Sequence, residues 1–307
     1  MRVLVTGAGG NLGRAAVPAL VQAGHQPVLM DFRHLATDQE FIKADVRDTG
    51  AVARAMEGVD AVVHAAALHG IHLEGWSSDD FWSINVTGTF NVYRAAREAG
   101  VGNVVLGSSM VVYGDIGAGD DPWEIIDEHS PPRPANLYGL TKVLSEDIAR
   151  YHAGAGAIST VALRLGMFVP ETFERYGFRL LFGGVDDRDV AQSVVLALRH
   201  RPDEGFAAFD IMADSGLTAD DLPQLRADSA AVLEHHWPGT SALVRERDLH
   251  LVDLIWGRRI YPVDHSRGVL GYRPQYDFGS FLKALRRGDP SHYPYANEPR
   301  WGVERPE

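Results

Sequence analysis

Thr6-Gly7-Ala8-Gly9-Gly10-Asn11-Leu12-Gly13 is the stretch that decides how this chain folds. It follows the apolar run Val3-Leu4-Val5 and opens an amphipathic segment, so its glycines fall in a strand-to-helix turn. Glycines 7, 10 and 13 give the spacing GxxGxxG. Gly7 permits the tight turn, and Gly10, lacking a Cβ, lets a pyrophosphate approach the backbone. Gly13 allows close helix–strand packing, and the helix beginning at Asn11 and Leu12 turns its N-terminus toward the anion. The turn therefore points to a dinucleotide, against the plainer alternative of a structural turn. Asp31 strengthens the reading, because it ends the second apolar run, 18 residues beyond Gly13. A carboxylate there accepts hydrogen bonds from the adenine-ribose hydroxyls and repels a 2′-phosphate, which favours NAD over NADP. Arg33 is the nearby group able to pair with such a phosphate.

Outward from this turn, short apolar runs alternate with amphipathic stretches. Strands are predicted at 3–5, 27–30, 41–43, 61–64, 103–106, 159–163 and 207–211. Helices are predicted at 12–23, 48–56, 79–99, 136–152, 187–199 and 222–236. The strands are continuous and rich in Val and Leu, as burial on both faces requires. The expected architecture is α/β: a doubly wound parallel sheet, or Rossmann fold, with a small C-terminal substrate-binding lobe. Residues 1–170 form the nucleotide-binding core. Residues 171–307 complete the sheet, add the lobe, and end from 289 in an irregular tail, all as one structural unit.

Composition narrows the partners. The chain has 307 residues, a formal net charge of −12 and no cysteine. That charge disfavours nucleic acid and anionic membrane surfaces. Disulfides, thiolate metal sites and a cysteine nucleophile are excluded. The first strand begins at residue 3 with no apolar leader before it, and no apolar run is long enough to span a bilayer. A soluble, cytoplasmic protein is expected.

Tyr138-Gly139-Leu140-Thr141-Lys142 supplies the chemistry. Residues at i and i+4 share a helix face. The Lys142 ammonium is expected to favour the Tyr138 phenolate and make it a usable base. Ser108 and Ser109 end the fifth strand, at the sheet edge where doubly wound folds bind ligands, and a serine hydroxyl there can hold the reacting oxygen.

Together these motifs resemble the extended short-chain dehydrogenases/reductases, the NAD-dependent epimerase/dehydratase family. The resemblance also rests on Ala44-Asp45-Val46-Arg47-Asp48, His64-Ala65-Ala66-Ala67, Asn85-Val86-Thr87-Gly88-Thr89, Val112-Tyr113-Gly114 and Val185-Asp186-Asp187. It implies Ser109, Tyr138 and Lys142 as the catalytic set, with Ser108 beside it. It places Asp45 and Val46 at the adenine, and Ala65, Ala66 and Ala67 at the pyrophosphate and ribose. Asn85 is implied in the cofactor site as a brace of the active-site strand, and Leu165, Gly166 and Met167 lie by the nicotinamide. No metal is implied.

Within that family the chain departs from the nucleotide-sugar epimerases after Arg164-Leu165. Only 14 residues separate Pro170 from Val185, too few for a nucleotide clamp. The short segment resembles uronate-dehydrogenase-like members, and Arg175 is the candidate to pair with a substrate carboxylate. Val111 stands where those enzymes tend to carry a His. His69 and His72, at the cleft edge, read as a plain surface loop ahead of a substrate contact and make only a weak metal pair, and Trp256, Arg258 and Arg259 read as packing or a far pocket wall. The expectation is an NAD-dependent oxidoreductase acting on a small sugar, sugar acid or polyol. A sugar or nucleotide-sugar epimerase/dehydratase is the alternative, and a non-catalytic dinucleotide sensor the third reading. By analogy the helices at 79–99 and 136–152 form a homodimer interface.

Overall fold

Seven parallel strands form the central sheet in the order β3-β2-β1-β4-β5-β7-β8. They are β1 (Arg2–Thr6), β2 (Gln26–Asp31), β3 (Glu40–Lys43), β4 (Ala61–His64), β5 (Asn103–Ser109), β7 (Ser159–Leu165) and β8 (Phe206–Ile211). The computed structural model describes residues 1–114, 123–247, 258–296 and 298. A separate two-stranded sheet pairs β6 (Glu124–Ile125) with β9 (Arg259–Ile260).

Parallel pairing demands crossovers, and the helices that provide them cover both faces. One face packs Val3, Val5 and Val63 against Ala16 and Leu20 of α1 (Asn11–Gln22) and Val190 and Val194 of α7 (Asp187–Arg199). The other packs Leu4, Val62 and Val104 against α2 (Thr49–Ala55), α4 (Gly88–Glu98) and α5 (Leu137–Gly154). The chain runs outward from β1 through β2 to β3, then crosses back to β4. The strand order therefore reverses between β1 and β4, and a crevice opens at their carboxyl ends.

The expected single helix over 79–99 is interrupted. A short α3 (Ser78–Phe81) passes into a π-helical turn, Trp82–Thr87, before α4 resumes regular winding. Such a widening often re-aims a functional side chain, and here it carries Asn85. The expected helix over 222–236 breaks into α8 (Leu222–Ala227) and α9 (Ser229–His236). Asp228 leaves helical geometry at φ −158°, ψ 91° and caps the second piece by accepting from Ala231 N at 3.1 Å.

Three helices appear where none was expected: α6 (Phe173–Arg179), α10 (Thr240–Glu246) and the helix Phe278–Arg287. They share a second core, in which the Phe178 ring meets Phe278 and Phe281 edge to face. The described part of the tail is packed rather than loose, since Tyr293 is buried and stacks on Tyr176 with centroids 3.8 Å apart. Trp256 and the apolar run 249–255 lie outside the described residues.

Candidate active site

The crevice is a cleft of about 700 Å³. Its floor at one end is the glycine turn. Gly7 has φ +65°, and a Cβ there would lie 2.5 Å from Ala66 Cα, so no other residue fits without moving β4's extension. Gly13 does not line the cleft. It faces inward, where a Cβ would meet the Ala8 carbonyl oxygen at 2.5 Å. Gly10 stands at the N-cap of α1 and offers no side-chain cap. The first N–H groups of that helix are thus left for an anion.

Asp31 closes this end. Its Oδ2 accepts from Gly9 N at 2.9 Å and its Oδ1 from Arg33 N at 3.0 Å. Both oxygens keep lone pairs for ribose hydroxyls. The Arg33 guanidinium lies over the Phe32 ring, 5.0 Å from its centroid. Asp45 and Val46 line the same end, with Asp45 paired to Arg47 at 2.7 Å. Burial alone would push the Asp45 carboxyl up, but Arg47 holds it below its ordinary range. The uncapped helix, the glycine cradle and the ribose carboxylate fit a dinucleotide.

Ala65, Ala66 and Ala67 continue the wall from β4. Beneath them His64 is buried between two hydroxyls, Nδ1 2.7 Å from Thr6 Oγ1 and Nε2 2.9 Å from Thr89 Oγ1. Burial, with the nearby Lys142 charge, pulls its imidazole down to about 3. Asn85, expected to touch the cofactor, does not line the cleft. It is buried, and its carboxamide binds the backbone of Leu68 and the Thr141 hydroxyl.

The expected catalytic set converges at the far end. Ser109, Tyr138 and Lys142 all line the cleft, as do Ser108 and Leu165. Asn136 caps α5 by accepting from Gly139 N at 2.9 Å, which starts the helix one residue before Tyr138. Lys142 Nζ donates to the Gly107 carbonyl at 2.6 Å and lies 5.8 Å from the Tyr138 ring centroid. The structure corrects one expectation here. The Tyr138 phenol is pushed up to about 12 by burial, against which a hydrogen bond with Ser109 favours the ionised form. Lys142 is itself drawn down to about 8 by burial, opposed by the Glu146 carboxylate. Without a bound cofactor the ammonium does not make the phenol acidic.

Ser108 lines the cleft, but its hydroxyl is already engaged. Its hydroxyl donates to Glu146 Oε1 at 2.7 Å inside the protein. Arg175 is exposed on α6 and is not among the cleft residues. The arginine of that segment that turns inward is Arg179, which is buried and paired with Glu171 at 2.9 Å. Arg259, weighed as a pocket wall, donates to Glu124 at 2.7 Å and to the Gly114 carbonyl.

The structure also brings in residues for which the sequence favoured a surface loop over a substrate contact. His69 and His72 line the cleft, and the His69 ring meets Tyr138 edge-on at 6.4 Å. Met110, Val111, Phe168 and Val169 complete that wall. Their signal in the sequence is position alone, directly after the ends of β5 and β7.

The pattern of the family described as "NAD dependent epimerase/dehydratase family" matches residues 3–176, more than half of the chain. The chain belongs to this family. It is accordingly an NAD-dependent enzyme, and its fold is that of the short-chain dehydrogenases/reductases. Among curated proteins it is similar to a uronate dehydrogenase of Pseudomonas syringae pv. tomato, 35% identical over 66% of this chain and 71% of that one. It is also similar to an L-arabinose 1-dehydrogenase (NAD(P)(+)) of Haloferax volcanii, 34% identical over 54% of this chain and 66% of the relative. A solved structure of a short-chain dehydrogenase/reductase superfamily protein from Agrobacterium tumefaciens with bound NAD superposes with a TM-score of 0.69. It is 25% identical and covers 94% of this chain and 98% of its own.

Proposed function

We propose that this chain transfers hydride between NAD and a hydroxyl of a small sugar, sugar acid or polyol that carries no nucleotide. The observation that carries the reading is the meeting of Ser109, Tyr138 and Lys142 at one end of a cleft whose other end fits a dinucleotide. The similarity to a uronate dehydrogenase and an arabinose dehydrogenase supports the substrate class.

In the oxidative direction Ser109 donates a hydrogen bond to the reacting oxygen and fixes it beside Tyr138. The phenolate of Tyr138 takes the hydroxyl proton as the C–H bond gives up its hydride and the carbinol becomes a carbonyl. NAD, when bound, supplies the hydride acceptor and, in its oxidised form, a positive charge that favours the phenolate. Lys142 sits one helical turn beyond Tyr138 with its ammonium in the cleft, where it can hold a ribose hydroxyl. In the reductive direction the neutral phenol returns the proton.

Arg175 stands outside the cleft, so recognition of a carboxylate cannot be assigned to it. The deciding experiment is a panel of D-glucuronate, D-galacturonate, L-arabinose, D-galactose and simple polyols, followed at the NADH absorbance. Net NADH formation with any of them supports the reading. Isomer interconversion of a UDP- or dTDP-sugar without net NADH would replace it with the epimerase.

We further infer a homodimer. Trp82, Phe90 and Tyr151 are 49%, 42% and 64% exposed on the π turn, α4 and α5, and they flank a shallow apolar groove with Val86, Leu144 and Ile148. Such a patch favours a protein partner. No helix among the described residues is long and apolar enough to cross a membrane. A cytoplasmic working place is part of the same reading.

A further inference from the structure

Three residues one turn apart on α5 hold three consecutive residues at the end of β5. Tyr138 meets Ser109, Lys142 Nζ donates to the Gly107 carbonyl at 2.6 Å, and Glu146 Oε1 accepts from Ser108 Oγ at 2.7 Å. The third contact has no part in the mechanism above, yet its carboxylate is 1% exposed. A buried carboxylate needs strong partners to stay charged. Arg164 provides them, donating from Nε to Oε1 at 3.0 Å and from Nη2 to Oε2 at 2.8 Å, and Arg150 adds a bond to Oε2 at 2.9 Å. Arg164 lies on β7 directly opposite Ser108 in the parallel register. One carboxylate therefore ties α5, β5 and β7 together immediately behind the catalytic groups.

We propose that Glu146 is a positioning residue for the reaction, locking the Tyr138–Lys142 face of α5 onto the end of β5 and giving the Lys142 ammonium a counter-charge. The inference rests on the active-site reading above. Arg164 is in turn fixed by Tyr113, whose hydroxyl accepts from Nη1 at 2.7 Å and donates to Asp210 at 2.9 Å. The clamp is thus anchored as far as β8.

The groups around Lys142 define what its charge responds to. On its own helix these are Tyr138 and Glu146. From β5 it faces the Gly107 carbonyl. From β4 it faces His64, whose imidazole is neutral, and Glu146 behind it is held by Arg164 of β7. Glu146 is the anionic side chain that raises the affinity of Lys142 for its proton, against the burial that lowers it.

NADH binding reads this directly and needs no substrate. With nicotinamide fluorescence as the signal, the wild type is expected to bind NADH more weakly as pH rises through the titration of Lys142, and Lys142→Met should abolish that step. Glu146→Gln should bring the step to lower pH by about one unit, the scale of a lost neighbouring charge. A merely structural role would lower thermal stability and leave the step in place. Should the single variant fail to fold because Arg164 is left unpaired, Glu146→Gln with Arg164→Gln removes that unmatched guanidinium while still withdrawing the counter-charge from Lys142, so the step should again lie at lower pH than in Arg164→Gln alone. A step that stays at the wild-type pH in a folded variant lacking Glu146 overturns the inference alone. A wild type with no step that Lys142→Met removes would instead take Lys142 out of the cofactor site, and with it the reading on which the inference rests.

Discussion

Asn85 clamps the backbone of Leu68 from both sides: its carboxamide oxygen accepts the Leu68 N–H at 2.7 Å and its nitrogen donates to the Leu68 carbonyl at 2.8 Å. Leu68 opens the loop that brings His69 to Tyr138, so the π turn that carries Asn85 sets one wall of the cleft. Asn85→Ala strips two buried backbone groups of their partners, at about 1–3 kcal/mol each if they find no replacement. Urea unfolding should show a stability loss of that order. Asn85→Asp sets a buried carboxylate oxygen against the Leu68 carbonyl, so near neutral pH it should cost at least as much as Asn85→Ala. A variant as stable as the parent would show that water or a neighbour replaces the clamp.

Tyr138→Phe removes the proton acceptor and keeps the ring. Turnover should fall by at least ~100-fold, the usual contribution of a general acid–base group, while NADH affinity stays within a few-fold. The elevated phenol gives the pH profile its sign. Oxidation needs the phenolate and should rise with pH across the neutral range. Reduction needs the phenol and should not. Loss of both activity and the rising limb in the variant assigns the limb to Tyr138, and near-normal turnover would remove it from the mechanism.

Asp31 holds its carboxylate at the ribose end through two backbone N–H groups, from Gly9 and Arg33. Titration should show NADH binding tighter than NADPH, and Asp31→Ala should narrow the gap by removing the charge that repels the 2′-phosphate. A parent that prefers NADPH would mean that Arg33 leaves Phe32 to pair with the phosphate.

Phe90 is exposed beside Trp82 and Tyr151 on the apolar face of α4 and α5. If two copies meet there, Phe90→Glu places a charge in the centre of a desolvated patch and should convert dimer to monomer in analytical ultracentrifugation. A parent that sediments as a monomer ends the dimer reading at once.

Asp187 makes the molecule sensitive to alkali in one place. Burial first, and the neighbouring Asp186, push its carboxyl up to about 7, and its Oδ2 is buried without a hydrogen-bond partner. A carboxyl raised on folding contributes stability below its unfolded value near 4, and that contribution is lost as pH rises through the folded value. Asp187→Asn should therefore raise stability at pH 8, by roughly 1–4 kcal/mol, and do little at pH 4. Urea midpoints of the two proteins that fail to diverge between pH 4 and pH 8 would contradict this.

The sheet was legible because strands buried on both faces must be continuous apolar runs, and Val3-Leu4-Val5 and Ala61-Val62-Val63 are such runs. The glycine turn, Asp31 and the Tyr138–Lys142 pair were legible because local geometry fixes them. What failed was decided by distant packing. α6 has seven residues, too few to show a period, and holds Gly177 because the Phe281 ring fills the place of a Cβ. Which arginine of that helix turns inward depends on Glu171 and the Val169 carbonyl, not on spacing. The helix Phe278–Arg287 did carry a signal, with Phe278, Phe281, Leu282 and Leu285 at three- and four-residue intervals. His69 and His72 read as surface because their loop is placed by Asn85, across a helix whose π turn no pattern announces.

His64 gives the floor of the cleft a direction. Thr89 donates its single hydroxyl proton to the Asn85 carbonyl, so toward His64 it can only accept. The Nε2 nitrogen of His64 must then carry the ring proton, and Nδ1 must accept from the Thr6 hydroxyl. Thr6 Oγ1 in turn accepts from the Ala66 N–H. Every link points the same way, from the Ala66 backbone in the cleft wall to the carbonyl of the residue that clamps Leu68. A second proton on the imidazole would leave Nδ1 and the Thr6 hydroxyl donating into one another, and the line would have to reverse or break. The tautomer is thus set by connectivity, and the line from Ala66 to Asn85 beneath the cleft wall has one polarity.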